Sequence, residues 1–221
     1  MHIYKIIFND WRYDAMLPYN DFEIADPKLS LIKISKLVFD RFLTDSCGGN
    51  LSIKNGDKIY LTPRYSGEYF HWDIPEDKVK VINLGNISDK IESDEISREI
   101  KLHIGIYKNF KEITSVIHAH PPFTIALSLQ GMKINPVTHM LKGRVNGEIL
   151  SCDPNLPQVS LQQTENIIEI IKSNFLICKY NSFILNLNSH GVIALGKNIF
   201  QAFSIIEALE INSKILFFSK K

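Results

Sequence analysis

Residues 115–131, SVIHAHPPFTIALSLQG, decide how this chain is read. Up to His120 the run is apolar and β-branched, the character of a strand over 114–120. From Pro122 it becomes a short helix, with proline at its start and Gly131 at its end. In a strand, residues i and i+2 share a face, so His118 and His120 project together with Ala119 turned the other way. At a rise of about 3.3 Å per residue their Cα atoms lie about 6–7 Å apart, and both rings can reach one ion. Pro121 and Pro122 pin the exit of the strand. Two ordinary strand-end histidines, hydrogen-bonded or solvated, would carry the same spacing.

Upstream, SREIKLHIGIYKNF (97–110) has the spacing of an amphipathic helix, with Ser97 as its N-cap. KVKVINL (78–84) reads as a strand. Residues 51–54 and 58–62 form a hairpin about Asn55-Gly56, a turn pair that favours φ > 0. PKLSLIKISKLVFDRFL (27–43) sets Leu31, Ile34, Leu37, Val38 and Phe42 at helical spacing. Downstream, 160–175 is a helix and 182–196 is two strands or one bent strand. The closing helix, 198–218, carries a stripe of Phe200, Phe203, Ile206, Leu209 and Ile215 suited to the core or to a subunit contact. Residues 1–27 offer one β-like run, Ile3 to Phe8. Several strands follow one another without an intervening helix. The expected fold is therefore α/β with a mixed or largely antiparallel sheet flanked by helices, not a doubly wound parallel sheet. No repeat or linker divides the sequence, so 1–221 is expected to be one domain.

At 45% apolar content, 221 residues are ample for a packed core. A net charge of +1 with intermixed signs predicts no nucleic-acid partner. The start, MHIYKIIFNDWRYD, lacks the apolar region of a signal peptide. Glu207, Glu210, Asn212 and Lys214 interrupt the most apolar helix, so no membrane span is expected. Cys47, Cys152 and Cys178 have no CxxC spacing; they suit a reducing cytoplasm and free thiols, and make poor metal ligands.

A third histidine joins the pair. In NLNSHGVIALG, His190 stands between apolar strands, directly before a glycine that permits an unusual backbone. A turn histidine is the plain alternative. Three neutral imidazoles suit Zn²⁺ with a coordination position left open, the catalytic arrangement. Glu99 lies in the first turn of helix 97–110, where the helix dipole favours a carboxylate, and His103 is one turn on. Glu99 can equally be a capping partner or a surface acid.

Three blocks, GGNLSIKNGDKIYLTP (48–63), SREIKLHIGIYKNFKEITSVIHAHPP (97–122) and NSHGVIALGKNIFQAFSIIEALE (188–210), together resemble the signatures of the class II aldolase/adducin family. The ordered set Gly-Asn-x-Ser, Glu-(x)3-His-(x)3-Tyr, His-x-His-Pro and His-Gly carries the resemblance, which covers about residues 29–218 and leaves 1–28 outside. It implies a three-layer α/β/α fold about a mostly antiparallel sheet, and a homotetramer with active sites at subunit interfaces. It implies that His118, His120 and His190 bind zinc or another divalent cation, and that Glu99 is the base. Gly49, Asn50 and Ser97 match a phosphate cradle, with the amides of Gly48-Gly49-Asn50 as a nest. The activity implied is that of a lyase on a small phosphorylated ketose, through a metal-stabilised enediolate, giving an aldehyde and dihydroxyacetone phosphate. Dehydration, epimerisation or decarboxylation of a sugar phosphate or hydroxy acid can use the same chemistry. A non-catalytic adducin-like scaffold is the alternative without chemistry; the intact histidines and Glu99 argue against it.

The chain departs from that pattern in four places. The phosphate loop reads Thr62-Pro63-Arg64-Tyr65-Ser66-Gly67, longer than the family's and carrying an arginine. Arg98 stands where a second phosphate-binding serine is usual, and a guanidinium suits carboxylate as well as phosphate. Met140 falls where the aldolases place an acidic tyrosine, and no tyrosine occurs after Tyr180. His139 is therefore the candidate general acid, against the reading of a surface loop histidine. Ser189 replaces an Asn or His, a change expected to tune the metal centre without abolishing it.

Overall fold

The computed structural model describes residues 26–86, 94–174 and 182–219. Six strands make one sheet in the order β3-β2-β1-β4-β6-β5, antiparallel at every pairing. The strands are β1 (Asn50–Asn55), β2 (Lys58–Leu61), β3 (Lys80–Asn83), β4 (Ser115–Ala119), β5 (Phe183–Asn186) and β6 (Val192–Gly196). β1 and β2 are the hairpin expected about Asn55-Gly56, with Gly56 at φ +58°. β4 is central. Its His118 lies opposite Asn50 on one side and Ile193 on the other.

The pleat of β4 sorts its side chains into two layers. Ile117 and Ala119 pack with Leu51, Ile53, Val192 and Ala194 beneath α1 (Pro27–Asp40) and the closing helix α7 (Ile199–Phe218). Val116 packs with Ile59, Leu61, Ile193 and Leu195 beneath α3 (Ile100–Asn109) and α6 (Leu161–Ser173). His118 shares the parity of Val116 and so faces α3. Helices cover both sides of the sheet, the three-layer α/β/α architecture expected. Between α1 and α3 lies a one-turn helix, α2 (Ser66–Phe70); between α3 and α6 lie α4 (Pro122–Leu129) and α5 (His139–Lys142).

The helix starts reflect local chemistry. Asp26 Oδ1 accepts from Lys28 N and Leu29 N at the head of α1; Ser160 and Asn198 cap α6 and α7 through Gln163 N and Gln201 N. Two expectations shift. α3 begins at Ile100, not at a Ser97 cap, because Ser97–Glu99 form a turn closed by Ile100 N on Ser97 O; Ser97 Oγ accepts from Glu99 N instead. α1 stops at Asp40. Phe42 adopts φ +56° and is 79% exposed, so it leaves the helical stripe, and Leu43 folds back to donate its amide to Val38 O. Residues 182–196 resolve into two strands joined by a 3-10 turn, Asn188–His190. In the closing stripe Ile206 and Leu209 are buried while Ile215 is 47% exposed. Cys47 and Cys152 are free thiols; Cys178 and the run Ile3 to Phe8 lie outside the described residues. Among the described residues no helix is long and apolar enough to cross a membrane.

Candidate metal centre and active site

His118, His120 and His190 converge. Their ligand nitrogens all lie within 4.8 Å of one another, and their ring centroids are 4.7–5.3 Å apart. Each is held by a different device. His118 is fixed by the ladder of the central strand, and its Nδ1 meets Val192 O at 3.0 Å. That carbonyl takes the Nδ1 proton and leaves Nε2 as the lone pair. His190 ends the 3-10 turn, and Gly191 comes next at φ +144°. A Cβ there would sit 2.4 Å from Ala119 O and 2.9 Å from the His120 ring. His120 lies just past the end of β4 and packs against Gly48, where a Cβ would come within 2.0 Å of its Cε1. Its Nδ1 is 3.8 Å from Asp45 Oδ2.

The donor set fits a divalent cation. His120 Nε2 faces His118 Nε2 at 3.0 Å. With the His120 Nδ1 proton turned to Asp45, two lone pairs confront each other, and a cation between them satisfies both. His190 Nδ1 is buried without a hydrogen-bond partner among the described residues. Burial pushes the His118 imidazole down to about 4. Burial and the neighbouring rings, His118 first, do the same to His120 and His190. All three are neutral at pH 7, the state in which imidazole ligates metals.

Glu99 sits against this cluster, its Oε2 3.4 Å from His118 Nε2 and its side chain about 10% exposed. Asn50 Nδ2 donates to the same oxygen at 2.6 Å. Burial pushes the Glu99 carboxyl above the ordinary range, opposed by the Asn50 hydrogen bond, then by the nearby imidazoles and the Arg98 guanidinium. A raised carboxyl beside a metal set is suited to carry a proton. One turn along α3, the fully buried His103 meets Ser52 Oγ through Nδ1 at 2.7 Å, and Ser52 Oγ meets Tyr107 OH at 2.7 Å.

The candidates for an anionic handle divide. Asn50 is buried at the start of β1, and Gly49 before it adopts φ +99° with Thr44 Oγ1 and His118 O close by. The Gly48 amide donates to Asp45 Oδ1, which removes it from a free nest. Arg64, Ser97, Arg98 and Glu99 line a cavity of about 740 Å³ that reaches Lys101 and Thr164 at the heads of α3 and α6. Arg64 stacks over Tyr65, 4.7 Å from the ring centre. His139 is exposed at the first position of α5, and makes no contact with Glu99 or the imidazoles among the described interactions.

Sequence reasoning passed over Asp45 and the segment that braces it. Asp45 closes an Asx turn on Cys47 N and Gly48 N; Trp72 Nε1 donates to Asp45 O, and a Cβ on Gly67 would strike Ser46 O at 2.4 Å. An Asp shortly before Gly-Gly is the signal for that turn.

The model of the class II aldolase and adducin N-terminal domain matches residues 30–217. An L-fuculose phosphate aldolase of Methanococcus maripaludis is 31% identical over 179 residues, 81% of this chain and 89% of that protein. A 3-oxo-tetronate 4-phosphate decarboxylase of Pectobacterium atrosepticum is 28% identical over 198 residues, 86% of this chain and 83% of that one. A solved L-fuculose 1-phosphate aldolase superposes with a TM-score of 0.70 at 22% identity, covering 90% of this chain and 88% of that one. With histidines and glutamate assembled on the matching fold, the chain is an enzyme of the class II aldolase and adducin family.

Proposed function

We propose that this chain is a zinc-dependent lyase of the cytoplasm that cleaves a small phosphorylated ketose by a retro-aldol step. The observation that carries the reading is the Glu99 carboxylate held 3.4 Å from an imidazole of a three-histidine set. A divalent cation held by His118, His120 and His190 would supply the Lewis acidity that stabilises negative charge on the ketone side of the substrate. The chain's own residues then handle protons and position. In the cleavage direction, a hydroxyl gives up its proton as the C–C bond breaks, and His139 is the group assigned to that oxygen. Glu99, protonated, returns a proton to the carbon left with the electron pair; in synthesis its carboxylate removes that proton. Asn50 orients Glu99. Gly49, Ser97, Arg64 and Arg98 are assigned to the phosphate, with Arg98 able to engage it bidentately. One domain over 1–221, assembled as a homotetramer, completes the reading.

Decarboxylation of a phosphorylated 3-oxo acid is the second reading. Arg98, directly before the base, favours it, because a guanidinium grips a carboxylate as well as a phosphate. Solvent exchange separates base chemistry from none: Zn²⁺-loaded protein with dihydroxyacetone phosphate in D₂O should exchange one C–H, monitored by NMR, and Glu99→Gln should not. No exchange by the wild type would overturn the retro-aldol reading. Released CO₂ from phosphorylated 3-oxo acids would install the second.

A further inference from the structure

His118 is tied into the sheet on both sides, but β4 ends at Ala119, and His120 lies one residue beyond its ladder. The anchoring of the chain after His120 therefore decides where its ring sits. Pro121 and Pro122 have no amide hydrogens, and Pro121, the N-cap of α4, offers no side-chain acceptor. The first free amides of α4 belong to Phe123 and Thr124. Both are taken by one buried carboxylate from the far end of the chain. Glu210 of α7 accepts from Phe123 N at 2.8 Å through Oε1 and from Thr124 N at 3.0 Å through Oε2. Thr124 Oγ1 adds a third bond to Oε2 at 2.8 Å and lies 3.0 Å from Ser213 Oγ. A carboxylate at this end of a helix also complements its dipole.

We propose that Glu210 is a positioning residue of the metal centre: it caps α4 from across the fold and thereby holds His120 against Gly48 and toward His118. The placement rests on the reading of the three histidines as a metal set. The device is non-local because the two prolines that stiffen the exit of β4 also rule out a local cap. α7 packs against both α4 and β4, so it can reference the ligand to the sheet.

The test compares the full-length wild type, Glu210→Gln, Glu210→Ala and Asn212→Ala, by Zn²⁺ affinity in chelator competition and by the Co²⁺ absorption spectrum. Asn212 is as buried, but its Oδ1 accepts from Val137 N and Thr138 N, so its loss loosens the approach to α5 and not α4. Glu210→Ala should weaken Zn²⁺ about tenfold or more, the usual cost of losing a group that orients a ligand. It should also alter the Co²⁺ spectrum. Glu210→Gln, with one acceptor oxygen left, should fall between, and Asn212→Ala should stay within twofold. The proposal is overturned if both Glu210 variants bind within twofold of wild type, or if Asn212→Ala weakens binding as much. Should Glu210→Ala fail to fold, Glu210→Gln decides by the same criterion. A wild type that binds no Zn²⁺ overturns the metal reading itself, a separate result.

Discussion

Asn50 Nδ2 donates to Glu99 Oε2 across 2.6 Å, while the backbone of Asn50 pairs with that of His118. One residue thus registers the base against a ligand: its main chain fixes the distance to β4, and its side chain fixes the carboxylate. The Asn50 Oδ1 atom is buried without a partner among the described residues, so the donor end of the amide makes its side-chain contact with the base.

Asn50→Leu should therefore damage Glu99 specifically. A hydrogen bond to a charged group is worth about 1.5–3 kcal/mol and favours the ionised form. Glu99, already raised by burial, would rise further. The acid limb of the pH–rate profile, or of the solvent-exchange rate, should move upward. An unmoved limb would remove Asn50 from the control of Glu99.

Gly48→Ala should loosen the metal while leaving the fold in place. The added Cβ would stand 2.0 Å from His120 Cε1, and the ring must swing away. A loss of about tenfold or more in Zn²⁺ affinity is expected by chelator competition. Gly56→Ala, in open space at the hairpin turn, is the control: its φ of +58° costs stability, and metal affinity should be untouched.

Metal removal should be visible in the melt. A ligand at 100 times its Kd stabilises the native state by about 2.7 kcal/mol, which in a chain of this size raises Tm by about 5–10 °C. Adding Zn²⁺ to chelator-treated protein should give that rise, and His118→Ala or His190→Ala should abolish it.

Acid should destabilise the protein through His103. Its folded pKa is pushed down to about 3, first by burial and then by His118, against an ordinary value of 6.5. Between those values the unfolded chain binds a proton that the native chain does not, so stability falls as pH drops from about 6.5 toward 3 and is flat for this group above 7. The slope from one such group is about 1.4 kcal/mol per pH unit. Urea unfolding of metal-free protein at pH 7, 6 and 5 should show the loss, and His103→Asn should reduce the slope by about one proton.

Much of the fold was legible because its signals are local. Alternation in Ser115–Ala119, the Asn55-Gly56 turn and the helical spacing of 198–218 each act over a few residues. The histidine pair was legible because strand parity forces it, and His190 because an apolar strand begins immediately after it. The features that escaped are turns that hydrophobic periodicity does not mark, or contacts made across the fold. Ser97 looked like a helix cap, but its hydroxyl serves the turn that turns Glu99 toward His118. Phe42 matched a helical stripe, yet the chain reverses at that residue. Glu210 is an acid with no local mark of burial, and only the packed structure shows the α4 amides it serves; the Asx turn of Asp45 is local, but the His120 ring it faces is distant in sequence.

The strict alternation along β4 ties assembly of the protein to its chemistry. A one-residue insertion within Ser115–Ala119 would exchange the layers of Ala119 and His118, driving an imidazole into the space that α7 fills and turning a methyl group toward Glu99. The same insertion at Asn55-Gly56 would only lengthen a solvent-facing bend. Among descendants of this chain, length variation should collect at the hairpin tip and be purged from the middle strand, because no frame-shifted ladder there can both fold and turn over substrate.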